Sequence, residues 1–306
     1  MRILCIVGTR PEGIKMAPVV RALNAYPSRF DVRTCATAQH RQLLDQVLDL
    51  FGIVPDVDLD LMEEGQTPSS VASNVLARLE PVLAEEQPDW VLVQGDTTTV
   101  LASAIAAHHL RIKVGHVEAG LRTGDRWNPF PEEMNRVLTD HISELCFAPT
   151  ERARQNLLRD GIPGDRIRVT GNTVVDALLD VAARPWCSPR SGPLSGVPME
   201  RDLVLVTAHR RESFGRPLER ICEALRAIAE QGEGAVHIVY PVHPNPNVHE
   251  PVTRLLGAVP HVTLLPPLDY LHLVQLMKRS KLVLTDSGGI QEEAPSLDVP
   301  VLVLRQ

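Results

Sequence analysis

Aromatic residues are scarce in this sequence of 306 residues, since Phe, Trp and Tyr together make up only 4% of it. The apolar residues, 44% of the chain, must therefore fill the core mainly as Val, Leu, Ile and Ala. Parallel sheets that are buried on both faces use these residue types. The chain length fits one large domain or two domains of ordinary size.

An excess of positive charge is also lacking, because the formal net charge is −7. This balance argues against a nucleic-acid-binding protein, which normally presents a basic face. It leaves room for a small anionic ligand, for which a few local cations such as His209-Arg210-Arg211 suffice. We therefore expect a small-molecule partner and no nucleic acid.

Cysteine pairs and long apolar runs are missing as well. The five cysteines are widely spaced and none forms a C-x-x-C pair, which predicts reduced thiols in a cytoplasmic protein. The apolar run at residues 3–7 is too short for a signal peptide. No stretch reaches the roughly 20 apolar residues that span a bilayer, so we expect no membrane association.

Strand and helix patterns alternate along the chain, which predicts an α/β fold with parallel sheets. The predicted strands are residues 2–7, 32–36, 90–94, 113–117, 145–148 and 167–169, then 203–207, 236–240, 262–265, 282–285 and 301–304. The predicted helices are residues 13–26, 40–51, 68–86 and 98–109, then 217–231, 251–256, 270–280 and 289–297.

The segment at residues 184–198, RPWCSPRSGPLSGVP, interrupts this alternation and is rich in Pro, Gly and Ser. Such composition is typical of a linker. It predicts two Rossmann-like domains, at residues 1–183 and 199–306. Ligands bind such sheets at the carboxyl ends of their strands, so we expect the site in a cleft between two facing domains.

Polar residues follow the predicted strands of the first half. After residues 2–7, Arg10 and Lys15 flank the first turn of a helix, where free N–H groups also favour anions; a solvated loop is an equally good interpretation. Asp96 follows residues 90–94 and is either a helix cap or a site residue. Glu118 follows residues 113–117 and lies between glycines, which is harder to explain by structure alone. Of Glu132 and its neighbour Glu133, one can serve a helix N-terminus and the other is a candidate acid or base.

The second half repeats this arrangement. His209 follows residues 203–207, and His243 follows residues 236–240. The Ser287-Gly288-Gly289 turn follows residues 282–285, allows close backbone approach and leads into a helix, which predicts a phosphate site. Glu293, one helical turn further on, is placed to accept ribose hydroxyls. An ordinary turn with a helix cap is the alternative.

The histidines do not form a metal motif, because no H-x-x-x-H pair lies on a predicted helix and no cysteine is near. The sequence therefore does not require a metal ion.

Nine segments together resemble the non-hydrolysing UDP-N-acetylglucosamine 2-epimerases. They are GTRPEGIKMAP, TAQHRQLLDQVL, QGDTTTVLA, GHVEAGLRTGD, PFPEEMNR, TGNTVVDAL, TAHRRESFG, YPVHPNPNV and LTDSGGIQEEAPSL. The resemblance implies a GT-B-like pair of Rossmann domains in a homodimer. It also implies interconversion of UDP-GlcNAc and UDP-ManNAc without a nicotinamide or metal cofactor, for bacterial surface polysaccharides.

The resemblance also implies roles for individual residues. Asp96, Glu118, Glu132 and His209 match catalytic positions. Residues that match substrate- or UDP-binding positions are Arg10, Lys15, Leu268, Leu273, Ser287, Gly288, Gly289 and Glu293. Residues that match a second UDP-GlcNAc site, which activates some bacterial members, are Gln39, His40, Gln42, Arg210 and His243, with Glu132 shared. Gly65 replaces a basic residue expected in such members, which argues against activation.

Members of this family continue beyond the position of Gln306, with a T-E-R-P-E segment and a helix that returns to the first domain. If the protein ended at Gln306, we would expect poor domain closure and weak activity. An assay of this 306-residue chain tests that expectation, and full turnover would contradict it.

The chemistry implied by the resemblance is elimination of UDP to 2-acetamidoglucal, followed by re-addition. Three other functions fit parts of the same sequence. A glycosyltransferase would carry an acceptor-binding insertion, and none is visible. A non-catalytic UDP-sugar sensor would have lost the carboxylates, which are all present. A hydrolysing epimerase, which releases free ManNAc and UDP, shares the residues around Asp96 and Glu118.

Overall fold

The computed structural model describes residues 1–37, 41–61, 65–186, 192–210, 213–232 and 234–304 of the chain. Its contacts divide the chain into two compact units, Met1–Ala177 and Leu178–Gln306, called unit 1 and unit 2 below. Within the described residues, every strand pairing in both units is parallel. The predicted α/β fold class, with two Rossmann-like parallel sheets, is confirmed.

Unit 1 is built on a sheet whose strands are β1 (Arg2–Val7), β2 (Asp31–Ala36), β3 (Val57–Asp58), β4 (Trp90–Gln94), β5 (Lys113–Val117), β6 (Leu145–Ala148) and β7 (Ile167–Val169). Their order across the described part of the sheet is β3-β2-β1-β4-β5-β6-β7. The strands read as short apolar runs because both faces are covered. Leu4 and Val91 pack against Leu79 and Leu83 from a covering helix, and all four are buried.

The helices of unit 1 are α1 (Arg10–Asn24), α2 (Arg41–Phe51), α3 (Pro68–Glu86), α4 (Thr98–His109), α5 (Glu132–Ile142) and α6 (Glu151–Arg159). A further helix, α7 (Thr173–Ala183), contains the point at which unit 1 ends and unit 2 begins. Thr9, Thr67, Thr97 and Thr150 cap α1, α3, α4 and α6 by accepting a backbone N–H of the first turn. Threonine is a favoured N-cap residue because its hydroxyl satisfies such a donor.

Unit 2 has strands β8 (Asp202–Thr207), β9 (Val236–Pro241), β10 (Val262–Leu265), β11 (Ser280–Thr285) and β12 (Val301–Val303). Their order across the described part of the sheet is β10-β9-β8-β11-β12. Its helices are α8 (Arg216–Gln231), α9 (Pro246–Leu256), α10 (Tyr270–Arg279) and α11 (Gly288–Glu293). Of the predicted linker, Leu194 and Val197 are buried in the core of this unit, and residues 187–191 lie outside the described residues. The predicted domain limits stay a prediction.

Three predicted helix limits are wrong for identifiable reasons. Helix α1 begins at Arg10 and not at residue 13, because Thr9 caps it and Pro11 is tolerated in its first turn. Helix α9 begins at Pro246 and not at residue 251, since Asn245 accepts the N–H of Asn247 there. Helix α11 ends at Glu293, before a short 3₁₀ turn that Pro295 opens. Helices α6 and α7 and the two-residue strand β3 had no predicted counterpart, and α5 was anticipated only as a helix N-terminus at Glu132 and Glu133.

The strand order reverses once in each sheet, between β1 and β4 in unit 1 and between β8 and β11 in unit 2. At such a switch point the following loops diverge and leave a crevice at the carboxyl ends of the strands, where ligands bind. Gly8 and Gly95 leave the first pair of strands, while Ala208 and Asp286 leave the second. Of the predicted site residues, Asp96 and His209 therefore lie at the switch points, whereas Glu118 follows the neighbouring strand β5.

Across the described ranges, none of the helices has the length and apolar character that crossing a bilayer requires. The described cysteines, Cys5, Cys35, Cys146 and Cys222, are all buried free thiols.

Candidate active site

A buried carboxylate, Glu12, joins the two loops at the switch point of unit 1. Its Oε2 accepts the N–H of Gly8 at 2.6 Å and its Oε1 accepts the hydroxyl of Thr97 at 2.9 Å. Burial raises the pKa of Glu12 to about 7, against hydrogen bonds from Gly8, Thr97 and Thr9 that lower it. Gly8 is required here, because a Cβ at this position would lie 2.6 Å from the Thr37 hydroxyl oxygen.

Glu118 comes directly after β5 and is held from several sides. The Nζ of Lys15 lies 2.6 Å and 2.7 Å from its two carboxylate oxygens. The side-chain amide of Gln94 donates to one of these oxygens, and that of Asn172 donates to the other at 3.2 Å. Glu118 has a φ of +69°, a region that costs a non-glycine residue about 1–3 kcal/mol and is typical of functional sites. The structure thus brings predicted residues Lys15 and Glu118 together.

Asp96 follows Gly95 at the end of β4, and its carboxylate forms an ion pair with Arg136. Its backbone carbonyl accepts from the side-chain amide of Asn135 at 2.9 Å. Thr97 caps α4, since its hydroxyl accepts the N–H of Val100. The alternative that Asp96 is the helix cap is therefore wrong, and its carboxylate remains half-buried at the crevice.

The two glutamates at the start of α5 have different surroundings. Glu133 is buried and accepts the N–H groups of Thr123 and Gly124, each at 3.0 Å. It also lies 3.4 Å from Arg136. Glu133 is therefore the structural member of the pair, and half-buried Glu132 is the member left as a candidate acid or base.

In unit 2, fully buried Asp286 organises the loop after β8. Its Oδ2 accepts the backbone N–H groups of His209 at 2.9 Å and Arg210 at 2.8 Å, and the Ser213 hydroxyl at 3.3 Å. Its Oδ1 lies 3.8 Å from Nδ1 of His209. Because a carboxylate that accepts several N–H groups is a rigid anchor, Asp286 fixes where His209 leaves the sheet.

The His209 ring stacks on His243, with centroids 5.5 Å apart and planes 5° from parallel. Burial lowers the pKa of His209; Asp286 acts in the opposite direction, while His243 and Arg210 lower it further. The ring is only half-buried and remains accessible to a ligand.

The Ser287-Gly288-Gly289 turn begins α11. No side-chain cap from the described residues satisfies the first N–H groups of this helix, which leaves donors of the kind that bind phosphates. A Cβ on Gly288 would lie 3.6 Å from the Arg210 guanidinium, and one on Gly289 would lie 3.6 Å from the Glu293 carboxylate. Arg210 and Glu293 thus flank the turn, although α11 is only six residues long.

The remaining predicted site residues lie in α1, in the core of unit 2, or outside the described part of the chain. Arg10 is half-buried in the first turn of α1. Leu268 is buried in the core of unit 2, and Leu273 packs partly buried against the same core. Gln39 and His40 lie outside the described residues, as does the side chain of Gln42 in α2.

An apolar groove of about 700 Å³ runs along unit 1 between α1 and the start of α7. Val19, Tyr26, Leu92, Phe147 and Thr173 are among the residues that line it. None of the predicted site residues is among its described lining residues. Its position therefore does not suit the polar chemistry of a nucleotide sugar.

Several residues with site contacts were not predicted from the sequence: Glu12, Gln94, Arg136, Asn172 and Asp286. The sequence could have indicated Asp286 and Gln94, because each is a polar residue at or just after the end of an apolar predicted strand. Arg136 and Asn172 had none, since their contacts come from distant parts of the chain. Within the described residues, no group of three or more His, Cys, Asp or Glu side chains is placed to hold a metal ion.

Comparison with known proteins identifies the family. The family profile described as UDP-N-acetylglucosamine 2-epimerase matches residues 21–306. The UDP-N-acetylglucosamine 2-epimerase of Salmonella typhimurium is 55% identical over 311 residues, which cover 100% of this chain and 82% of that protein.

Solved structures of the same family also match this chain. The UDP-GlcNAc 2-epimerase of Neisseria meningitidis, bound to UDP-GlcNAc, matches with a TM-score of 0.88 and 44% identity, over 100% of this chain and 83% of that one. The Methanocaldococcus jannaschii UDP-GlcNAc 2-epimerase, in complex with UDP-GlcNAc and UDP, matches with a TM-score of 0.81 and 37% identity, over 100% and 84%. The chain therefore belongs to the UDP-N-acetylglucosamine 2-epimerase family and is an isomerase.

Proposed function

We propose that this enzyme interconverts UDP-GlcNAc and UDP-ManNAc by anti elimination of UDP and its re-addition through a 2-acetamidoglucal intermediate. The epimerase activity follows from the family; the route is supported by the chemistry that the site residues offer. The observation that carries it is the Glu118 carboxylate, held by Lys15, Gln94 and Asn172 at the carboxyl end of β5.

The sugar itself explains why a simple proton transfer is not enough. The C2 proton is not adjacent to a carbonyl group, so its loss alone would leave an unstabilised carbanion. In an elimination, a base takes this proton while the C1–O bond breaks, C1 and C2 become doubly bonded, and UDP leaves with the electron pair. Re-addition returns a proton to the opposite face of C2, and the UDP oxygen bonds to C1 again.

Two carboxyl groups are needed on opposite sides of the sugar, one as a base and one as an acid. Asp96 and Glu118 are the leading proton carriers in this proposal, and Glu132 is the third candidate. Arg136 and Lys15 fix the first two in place. Lys15, predicted as a substrate-binding residue, therefore also positions Glu118.

The leaving UDP needs groups that stabilise the negative charge developing on its phosphates. Arg10, Lys15, His209 and the N–H groups of Gly288 and Gly289 in the Ser287–Gly289 turn supply them in this proposal, while Glu293 takes ribose hydroxyls. Leu268 and Leu273 are proposed to line the uracil pocket. Such help lowers the barrier to the extent that it is greater in the transition state than in the bound substrate.

Proton NMR of UDP-GlcNAc with the enzyme in D₂O tests the function. We expect deuterium at C2 and a mixture of intact UDP-GlcNAc and UDP-ManNAc. Release of free ManNAc and UDP would instead indicate a hydrolysing epimerase. No exchange at C2 would overturn the proposed reaction.

The resemblance supports three further proposals: a homodimer, a cytoplasmic location and a role in bacterial surface polysaccharide synthesis. Light scattering of the purified protein tests the first. The activator site proposed at Gln39, His40, Gln42, Arg210 and His243 is tested by the dependence of the initial rate on UDP-GlcNAc concentration. A hyperbolic dependence would argue against activation, as Gly65 does.

A further inference from the structure

A fully buried histidine, His116, lies in β5 two residues before Glu118 and has both ring nitrogens engaged. Its Nδ1 lies 2.6 Å from Oδ1 of Asp140, and its Nε2 lies 2.7 Å from the carbonyl oxygen of Gly95. A carbonyl oxygen only accepts, so Nε2 must carry a proton. An ionised Asp140 only accepts as well, so Nδ1 must carry one too.

Asp140 is held in its ionised form by its other partners. Its Oδ2 accepts the N–H of Gly120 at 3.2 Å and the guanidinium of Arg122 at 2.7 Å. Arg122 in turn contacts Asp160 at 2.8 Å. Because Oδ2 accepts from a guanidinium, which favours the ionised carboxyl group, the geometry indicates an imidazolium ring and a carboxylate rather than two neutral groups.

The electrostatic surroundings agree with this assignment. Burial alone lowers the pKa of His116, but Asp140, the carbonyl of Gly95 and Glu118 raise it, and the net direction is upward. For Asp140, burial raises the pKa, while His116 and Arg122 lower it, and the net direction is downward. The charged groups around the pair are Glu118 and Arg122, which both follow β5.

The pair connects the two turns that carry the proposed proton carriers. His116 holds the carbonyl of Gly95, whose φ is +87°, directly before Asp96. Asp140 holds the N–H of Gly120, at the end of the turn that starts with Glu118. That turn is tightly packed, since a Cβ on Gly120 would lie 2.4 Å from the carbonyl oxygen of Ala153.

We propose that His116 is a positioning residue, a permanently protonated imidazolium that with Asp140 fixes the Asp96 and Glu118 turns relative to each other. Its effect on turnover rests on the proposed function, whereas its protonation state does not. A small misplacement of catalytic groups costs about a hundredfold in rate. Loss of the His116–Asp140 pair should therefore lower kcat more than it weakens the binding of UDP-GlcNAc.

The first experiment is ¹⁵N NMR of the histidine rings in the wild-type full chain. An ordinary histidine has a pKa of about 6.5 and is mostly neutral at pH 8. We expect His116 to show two protonated ring nitrogens at pH 8, where an ordinary histidine shows only one. One unprotonated nitrogen on His116 would overturn the proposal, whatever the activity of the enzyme.

The second experiment compares His116→Asn, His116→Gln and the control His141→Gln. Asparagine keeps a donor near Asp140 and glutamine keeps one near Gly95, but neither carries the charge or both bonds. We expect kcat to fall about a hundredfold in both, with KM for UDP-GlcNAc within about threefold of wild type, and no change in the control.

A near-normal kcat in either folded His116 variant would overturn the positioning role. An equal loss of UDP binding and turnover would also overturn it, since that pattern indicates general damage. If neither variant folds, the ring spectrum of the wild type still decides the protonation state. Absence of C2 exchange in the wild type would contradict the proposed function and leave the spectrum unaffected.

Discussion

In unit 1, side chains hold the candidate carboxylates, with Lys15 on Glu118 and Arg136 on Asp96. In unit 2, the buried carboxylate of Asp286 instead holds backbone N–H groups, and the accessible groups around it are the His209 ring and the Ser287 turn. The carboxyl ends of the strands in the two Rossmann-like sheets thus carry different kinds of groups.

The difference matches two chemical demands. A proton carrier must be placed within a few tenths of an ångström, which paired side chains and a strained turn achieve. A diphosphate is larger and carries spread charge, so a set of backbone donors and one or two cations is sufficient. Under the proposed function, variants of Asp96 and Glu118 in unit 1 should mainly lower turnover, and variants around Asp286 and the Ser287 turn in unit 2 should mainly weaken UDP binding.

The largest effect is expected at the proton carriers. Glu118→Gln and Asp96→Asn remove the acid–base function but keep the shape, so each should lower kcat by about 10²–10⁴-fold. UDP affinity, measured by calorimetry, should change little. Glu151→Gln on exposed α6 is the matched control and should be unaffected. Near-normal turnover in both site variants would contradict the division between the units.

The next largest effect is expected on the free energy of unfolding, at the buried carboxyl group of Glu12 in unit 1. A carboxyl group whose pKa is raised on folding to about 7 favours the folded state most at low pH, and that advantage is lost as the pH rises from about 4.5 to 7. Glutamine mimics the protonated form. Glu12→Gln should match wild type near pH 4 and exceed its free energy of unfolding by roughly 3 kcal/mol at pH 8.

Urea unfolding of wild type and Glu12→Gln at several pH values between 4 and 8 measures this difference. Exposed Glu144→Gln is the control and should show no such trend. A stability difference that stays constant with pH would show that Glu12 is ionised in the folded protein.

A smaller effect is expected at the anchor of unit 2. Asp286→Asn replaces charge-assisted bonds to the backbone of His209 and Arg210 with weaker ones, at a local cost of about 1–3 kcal/mol. Amide hydrogen exchange at these two residues should become faster, and UDP affinity should fall. Ser213→Ala, which removes only the 3.3 Å hydroxyl contact, should have the weaker effect. Unchanged exchange at both amides would show that Asp286 does not anchor this loop.

The smallest effect is expected at the phosphate turn. The space at Gly288 admits a Cβ beside Arg210, so Gly288→Ala should leave the fold intact. The methyl group should obstruct a phosphate and weaken UDP binding about tenfold, or about 1.4 kcal/mol. Gly196→Ala, at a position with open space, is the control. Full UDP affinity in Gly288→Ala would place the phosphates elsewhere.

Much of the fold was predictable because apolar runs and turn residues mark the strands of a parallel sheet. Residues 90–94, 113–117 and 145–148 are strands with the predicted limits. The rule that ligands bind at strand ends then selected Asp96 and Glu118. The start of α1 at Arg10 was also signalled, by Thr9 as a cap and Pro11 in the first turn, but apolar periodicity alone does not register these residues.

The partners of the site residues were not predictable in the same way. Lys15 and Glu118 are 103 positions apart, and the backbone of His209 is 77 positions from the Asp286 carboxylate that holds it. Periodicity and local propensity describe neighbours along the chain and contain no information about such contacts. The sequence could therefore indicate candidate site residues, while the side chains that hold them became visible only in the folded structure.

The central claim is that the C1–O bond to UDP breaks during each turnover while the carboxylates of unit 1 move the C2 proton. UDP-GlcNAc labelled with ¹⁸O in the bridge between C1 and the β-phosphorus tests it directly, by ³¹P NMR during epimerisation. If that bond breaks, the label spreads to the non-bridging oxygens of the β-phosphate, because the β-phosphate of freed UDP rotates before it bonds again. Deuterium exchange at C2 with the label kept in the bridge would contradict it.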